Sequence, residues 1–139
     1  MLVYEAAATI KAPPEHVWSI LTDGPGLPDW DSGILRIEGA ITPGGSFRLW
    51  SEASPKRAFA LTVAAFEPPR GMVWKSGMPL GLFSGERTFT LTPIAQGTAF
   101  TMREEFRGII LPLIRHSMPD LQPSFDRFAR GLKARAEQQ

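Results

Sequence analysis

Two charged side chains interrupt the apolar faces of two predicted strands. Arg87 alternates in phase with Phe89, and Glu104 alternates in phase with Met102. Because side chains two positions apart point to the same face of a strand, both charges are predicted on a face that is otherwise apolar. If the connecting hairpin turns symmetrically about Ala95-Gln96, Arg87 lies directly opposite Glu104.

The pair has three interpretations. It could be a partly buried ion pair that fixes the register of the hairpin. It could hold the polar end of a mostly apolar ligand, or polarise a carbonyl group for enolisation. The strand ends could also twist both side chains into solvent. An arginine beside Glu104 would keep the carboxylate ionised, and an ionised carboxylate is a poor general acid, which weighs against catalysis.

Other kinds of site have little support in the sequence. The chain contains no cysteine, which excludes disulfides, thiolate metal sites and cysteine nucleophiles. His16 and His116 are one hundred residues apart and have no Asp or Ser partner arrangement, so we predict no metal site and no catalytic histidine pair. Pro43-Gly44-Gly45 indicates a turn and lacks the spacing of a phosphate loop. No cofactor is predicted.

Composition indicates one globular domain spanning residues 1–139. With 43% hydrophobic and 21% charged residues, the chain is typical of folded proteins rather than disordered or fibrous ones. A net charge of +1 without any basic run argues against nucleic-acid binding. The first ten residues do not have the pattern of a signal peptide, and no apolar run is long enough to span a membrane. We therefore expect a cytoplasmic protein.

Period-two alternation and turn residues predict seven strands, near residues 2–11, 34–38, 46–53, 57–66, 72–76, 84–92 and 98–107. Two short helices are expected between the first two strands, one ending at Asp23-Gly24 and one within Gly24 to Trp30. The only long helix is predicted after Pro119, with its apolar stripe at Leu121, Phe125, Phe128, Ala129, Leu132 and Ala136. The connections between strands are too short for crossovers, so the sheet should be antiparallel. The fold class is α+β.

The widths of these elements suggest a ligand cavity. Seven strands about 4.8 Å apart form a sheet about 30 Å wide, whereas one helix is only about 10 to 12 Å wide. Part of a curved apolar face could therefore remain open to a ligand, although each of its large side chains could equally be core. The candidate ligand-binding residues are Phe59, Leu61, Met72, Trp74, Leu82, Phe83, Arg87, Phe89, Met102, Glu104, Leu121 and Phe125.

The segment from Gly77 to Gly85 is unusually apolar for a loop. It combines Met78, Leu80, Leu82 and Phe83 with three glycines. It could be a mobile lid over the cavity mouth, opposite residues 109–113. Alternatively, both segments could form a homodimer contact, or the loop could simply pack against the domain.

Three aromatic residues have less specific predictions. Tyr4 lies on the same strand face as Ile10, and core packing is favoured over a hydrogen bond into the cavity. Trp30 is expected to anchor the second short helix to the sheet. Trp50 shares a face with charged residues and is expected on the convex side of the sheet or at an interface.

Several segments carry a resemblance to a known family. They are IKAPPEHVWSILTD, PDWDSGI, FEPPRGMVW, GERTFTLTP and the stretch from Gly97-Thr98 through Glu104-x-Phe106-x-Gly108. Together they resemble the polyketide cyclase/dehydrase branch of the SRPBCC superfamily, with its START-related helix-grip fold. The resemblance implies a β-α-α-β6-α topology, in which a curved seven-stranded antiparallel sheet surrounds one long C-terminal helix and encloses a hydrophobic ligand cavity.

Members of that superfamily include ligand carriers, cyclases and aromatases, hydroxylase subunits and chaperone activators, so the resemblance does not name a reaction. The favoured expectation is non-catalytic binding of a hydrophobic or aromatic small molecule. One alternative is a cyclase or dehydratase, in which Arg87 stabilises an enolate and Glu104 or Tyr4 moves protons. Another is a protein-binding module resembling chaperone activators, which would use the exposed faces of the sheet.

Overall fold

The computed structural model describes residues 1–138 as a curved antiparallel sheet with helices at its concave side. The strands are β1 (Leu2–Ile10), β2 (Ile34–Gly39), β3 (Ser46–Ser51), β4 (Ser54–Glu67), β5 (Gly71–Met78), β6 (Phe83–Ile94) and β7 (Gly97–Arg107). The helices are α1 (Pro14–Leu21), a 3-10 helix (Gly24–Asp29), α2 (Leu111–Ile114) continued by a 3-10 turn (Arg115–Ser117), and α3 (Gln122–Ala136). The seven strands, the two short helices and the long C-terminal helix are confirmed, whereas the helical turns at 111–117 were not predicted.

The sheet order is β1-β7-β6-β5-β4-β3-β2, and every neighbouring pair is antiparallel. Six strands follow one another as hairpins, while β1 pairs with the last strand at one edge. This is the helix-grip arrangement that the resemblance implied. Within residues 1–138, no helix is long and apolar enough to cross a membrane.

The apolar segment from Gly77 to Gly85 is mostly strand rather than loop. Strand β5 continues to Met78 and β6 begins at Phe83, so only residues 79–82 connect them. The backbone N–H groups of Ile109 and Ile110 donate to the carbonyl oxygens of residues 81 and 82, at 3.2 and 3.1 Å. The two segments therefore adjoin and form one surface, instead of facing each other across a mouth. Leu80 is 91% exposed on this surface.

Helix α3 buries the stripe that its sequence pattern predicted. Phe125, Phe128 and Leu132 are almost fully buried, and the helix packs mainly against β1. The Phe128 ring lies 6.0 Å from the ring of Phe89 and 6.5 Å from that of Phe100, measured between centroids. Stacked and tilted ring contacts of this kind join the helix to the inner strands of the sheet.

A glycine lets α3 approach the segment that precedes β2. A Cβ atom on Gly131 would come within 2.8 Å of the carbonyl carbon of Asp31, and closer still to its oxygen. Beside this contact, the Trp30 ring packs edge-on against Phe128, with centroids 5.2 Å apart. The Trp30 ring thus contacts α3 and packs against the core that the helix and the sheet share; its anchoring of the second short helix to the sheet stays a prediction.

Gly131→Ala is expected to lower the free energy of unfolding by about 1 to 3 kcal/mol, because the added methyl group overlaps the Asp31 carbonyl and forces the backbone to shift. Helix propensity alone would change the stability in the opposite direction, by about 1 kcal/mol. Urea denaturation of this variant and of Ala134→Gly, an exposed position of α3, separates the two effects. A more stable Gly131→Ala variant would contradict the close contact.

Polar contacts hold the C-terminal end of α3 to the end of β1. The ammonium group of Lys133 donates to the carbonyl oxygen of Thr9 at 2.6 Å and to Glu137 Oε2 at 2.8 Å. Glu137 Oε2 also accepts from the backbone N–H of Lys11 at 2.8 Å. These hydrogen bonds, that from Lys133 first, hold the pKa of Glu137 below its ordinary value of 4.5.

Because that pKa is lowered in the folded state, Glu137 stabilises the fold above pH 4.5 and loses this effect as the pH falls through its folded pKa. We expect Glu137→Gln to lower the melting temperature at neutral pH, and the difference from the unmodified chain to shrink in acid. Circular dichroism melts across this range measure it, with Glu15→Gln on the exposed side of α1 as the control. A difference that is independent of pH would contradict the assignment.

Candidate functional site

The inner part of the concave face is filled by its own side chains. Met72, Trp74, Phe89 and Met102 are each only 1% exposed. The Trp74 ring packs edge-on against Phe89 and Phe47, at centroid distances of 4.7 and 5.0 Å. These four predicted ligand-binding residues are core residues in this structure. The inner part of the concave face therefore exposes little apolar surface to solvent.

The outer part of the same face is open. Phe59 is 45% exposed and Met78 is 48% exposed. Phe59 pairs with the buried Leu49, and Met78 pairs with Phe83, which places both on the concave face. Leu61 and Phe83 are half-buried beside them. We call Phe59, Leu61, Met78 and Phe83 the open rim; α3 leaves it uncovered because the helix packs on β1 and β7.

Strands β4 and β5 separate at the open rim. Their paired residues run from Thr62 and Lys75 to Glu67 and Gly71, where the strands meet at their hairpin. A depression of about 330 Å³ lies where this pairing ends. Its lining residues are Leu61 and Ser76 of the concave face and, by their phase in the strands, five residues of the outer face: Ser46, Ala60, Thr62, Lys75 and Gly77.

The ion pair lies at the inner side of the rim, and its predicted register is confirmed. Arg87 is directly opposite Glu104 in the β6–β7 ladder. Its Nε donates to Glu104 Oε1 at 2.8 Å, and its Nη2 lies 2.7 Å from the same oxygen. The side chains are 23% and 8% exposed, respectively. The interpretation in which both charges turn into solvent is therefore wrong.

Aromatic rings surround the guanidinium group of Arg87. Its Cζ atom lies 4.7 Å from the ring centroid of Phe125 and 5.9 Å from that of Trp74, within the range of cation–π contact. Tyr4 pairs with Glu104 on the other side, and its ring lies 5.6 Å from that of Phe125. The structure thus brings four predicted site residues together: Arg87, Glu104, Trp74 and Phe125.

The remaining predicted site residues lie at the edges of this group. Leu82 is half-buried in the connection between β5 and β6, and Leu121 is half-buried immediately before α3, where it packs against the core. Trp50 lies beneath the guanidinium groups of Arg36 and Arg48, at 4.8 and 5.0 Å. These partners belong to the outer face of the sheet, which confirms the convex position expected for Trp50.

Two small residues of the concave face were missed by the sequence analysis. Ser76 and Gly85 pair with each other across β5 and β6, one row from Trp74 and Arg87. Period-two phase places Ser76 on the face of Trp74 and Gly85 on the face of Arg87. The alternation of side chains along β5 and β6 predicts both positions on the concave face, provided that it is extended to small residues as well as large apolar ones.

Metal ligands do not cluster in the part of the chain that the structure describes. Residues 1–138 contain no group of three or more His, Asp or Glu side chains placed to hold an ion. His16 and His116 are both exposed on separate helical segments. The charged groups of the concave face that a ligand could contact are therefore those of the Arg87–Glu104 ion pair.

Solved structures with the same fold include proteins of bacterial origin. Protein MLL2253 from Mesorhizobium loti superposes with a TM-score of 0.74 and 22% identity, over 96% of this chain and 95% of that one. A START superfamily protein from Mycobacterium smegmatis gives a TM-score of 0.74 and 15% identity, over 97% of both chains. The di-domain ARO/CYC BexL from the BE-7585A biosynthetic pathway gives 0.75 and 12%, over 99% of this chain and 50% of that one.

Among curated proteins, none is similar enough in sequence to count as a relative of this chain. A family model described as "Polyketide cyclase / dehydrase and lipid transport" matches residues 1–137. The match covers the whole helix-grip fold, including the open rim and the ion pair. The chain therefore belongs to the polyketide cyclase/dehydrase and lipid transport family, within the SRPBCC superfamily that its sequence segments resemble.

Proposed function

We propose that this protein binds an apolar small molecule on the open rim, with the polar end of the molecule directed at Arg87 and Glu104. The observation that carries the proposal is the exposure of Phe59 and Met78 on the concave face, next to a largely buried ion pair. Large apolar side chains of a concave surface gain free energy when a ligand removes them from water, at about 25 cal/mol per Å². A few polar groups at one end then orient the ligand.

Family and fold support the chemical class of the ligand. The family description names polyketide cyclases and lipid transport, and one structural neighbour is an ARO/CYC protein of a biosynthetic pathway. Both descriptions suggest apolar molecules that carry oxygen atoms. For this chain we therefore infer an aromatic or acyl compound with an oxygen-bearing end, bound without conversion.

The geometry of the ion pair favours binding over catalysis. Glu104 accepts from Arg87 through Oε1 and is mostly buried. A carboxylate in such a pair is occupied as a hydrogen-bond acceptor, and taking it out of the pair would leave a largely buried group without its partner, at a cost. The cyclase or dehydratase alternative thus has no specific observation in its favour.

Titration of the labelled protein with 2-naphthol, followed by NMR, should shift signals of Leu61, Met78 and Phe83. Phe59→Glu is expected to weaken binding about tenfold or more, because it removes an apolar surface and places a charge on the rim. Ile94→Glu is the matched control, since Ile94 is 39% exposed at the distant end of β6.

Two results would contradict the proposal. One is the absence of saturable binding by 2-naphthol and by dodecanoic acid, an acyl probe. The other is equal binding to the Phe59→Glu and Ile94→Glu variants, since a ligand that ignores the rim must bind elsewhere.

A further inference from the structure

We propose that Ser76 and Glu104 form a subsite over Gly85 that binds a neutral hydroxyl group of the ligand, such as a phenol, an enol or an alcohol. The inference rests on the proposed function and makes it more specific, because it names the polar group that the ion pair receives. It assigns binding roles to Ser76 and Gly85. It also distinguishes a hydroxyl-bearing ligand from one that ends in a carboxylate or a phosphate.

Three side chains converge above the bare backbone of Gly85. A Cβ atom at this position would lie 3.0 Å from Ser76 Oγ and 3.1 Å from Glu104 Oε2. It would also lie 3.1 Å from the ring edge of Phe106. Ser76 and Phe106 are the cross-strand partners of Gly85 on either side, so the ladder itself brings these groups together. A glycine keeps the space between the two oxygens free of carbon.

The hydrogen-bonding capacity of Glu104 is only half used. The two Arg87 nitrogens that approach Glu104, Nε and Nη2, both contact Oε1. Neither Glu104 Oε2 nor Ser76 Oγ receives or makes a hydrogen bond with any group in residues 1–138. The Glu104 side chain is only 8% exposed, yet Oε2 is not one of the fully buried unpaired side-chain atoms, which are Trp30 Nε1 and Trp74 Nε1. Oε2 is thus a free acceptor with some contact to solvent. The subsite therefore favours a ligand atom that donates a hydrogen bond.

A hydroxyl group meets the donor requirement and can also accept from Ser76. A fully ionised carboxylate or phosphate can only accept, and it would be repelled by the charge of Glu104. A hydroxyl group donates to Oε2 and at the same time accepts from the Ser76 hydroxyl. Trp74, beside Arg87 in the adjacent row, has a buried indole N–H without a partner in the described chain.

Access to the subsite comes from the open rim. Ser76 is half-buried and lies on the same face of β5 as Met78 of the rim, two positions away. On the other side, the ring of Phe83 stacks on that of Phe106, with centroids 5.7 Å apart. An aromatic ligand lying along the rim would place its ring against Phe83 and its hydroxyl group toward Gly85.

The experiment compares 2-naphthol with 2-methoxynaphthalene and 2-naphthoate by isothermal titration calorimetry. The three share one ring system, but only 2-naphthol presents a neutral hydroxyl donor. We expect 2-naphthol to bind about tenfold tighter than either of the other two compounds, because a hydrogen bond to a charged acceptor increases affinity by about that factor. In Ser76→Ala and Gly85→Ala, the preference for 2-naphthol over 2-methoxynaphthalene should fall to less than about threefold. Ser84→Ala, on the exposed face of β6, should retain it.

The outcomes separate the two proposals. Equal affinities for 2-naphthol and 2-methoxynaphthalene, both lost in Phe59→Glu, would overturn the hydroxyl subsite and leave binding on the rim intact. Tighter binding of 2-naphthoate would overturn the subsite in the same way. Binding of none of the three compounds would overturn both proposals. A preference for 2-naphthol that Ser76→Ala and Gly85→Ala leave unchanged would show that another group recognises the hydroxyl.

Discussion

One helix cannot cover seven strands, and the place where α3 is held decides which part of the sheet stays open. Lys133, which donates to the Thr9 carbonyl, and Glu137, which accepts from the Lys11 N–H, fix the C-terminal end of the helix along β1. Gly131 lets the helix approach Asp31, which precedes β2. Inward from there, aromatic rings of the helix and sheet fill the trough. Strands β4 and β5 and the start of β6, which α3 does not reach, keep an uncovered apolar surface. The open rim is therefore a consequence of helix placement rather than of an enlarged core.

Much of this fold could be predicted from the sequence. Alternation and turn residues identify all seven strands, because each strand has one face toward the core and short connections. The symmetric hairpin at Ala95-Gln96 fixes the β6–β7 register, and with it the pairing of Arg87 with Glu104. Local rules are sufficient where strands are neighbours in sequence and the turn between them is short.

The division between core and site could not be predicted in the same way. Period-two phase places Met72 and Phe59 alike on the concave face, yet one is buried and the other half-exposed. That difference depends on where α3 crosses the sheet and where β4 separates from β5, both of which follow from long-range packing. Ser76 and Gly85 were overlooked for a related reason. Hydrophobic patterning identifies large apolar residues, and it does not identify the small residues that lie between them on the same face.

The asymmetry of the ion pair argues for a role beyond holding the hairpin together. Burying two charges costs desolvation that an apolar pair of similar volume would avoid, and the register is already set by the turn. Here Arg87 acts on Oε1 alone, while Oε2 turns toward Gly85 and Ser76. The arginine thus orients the carboxylate, and its second oxygen is the acceptor of the hydroxyl subsite that we propose.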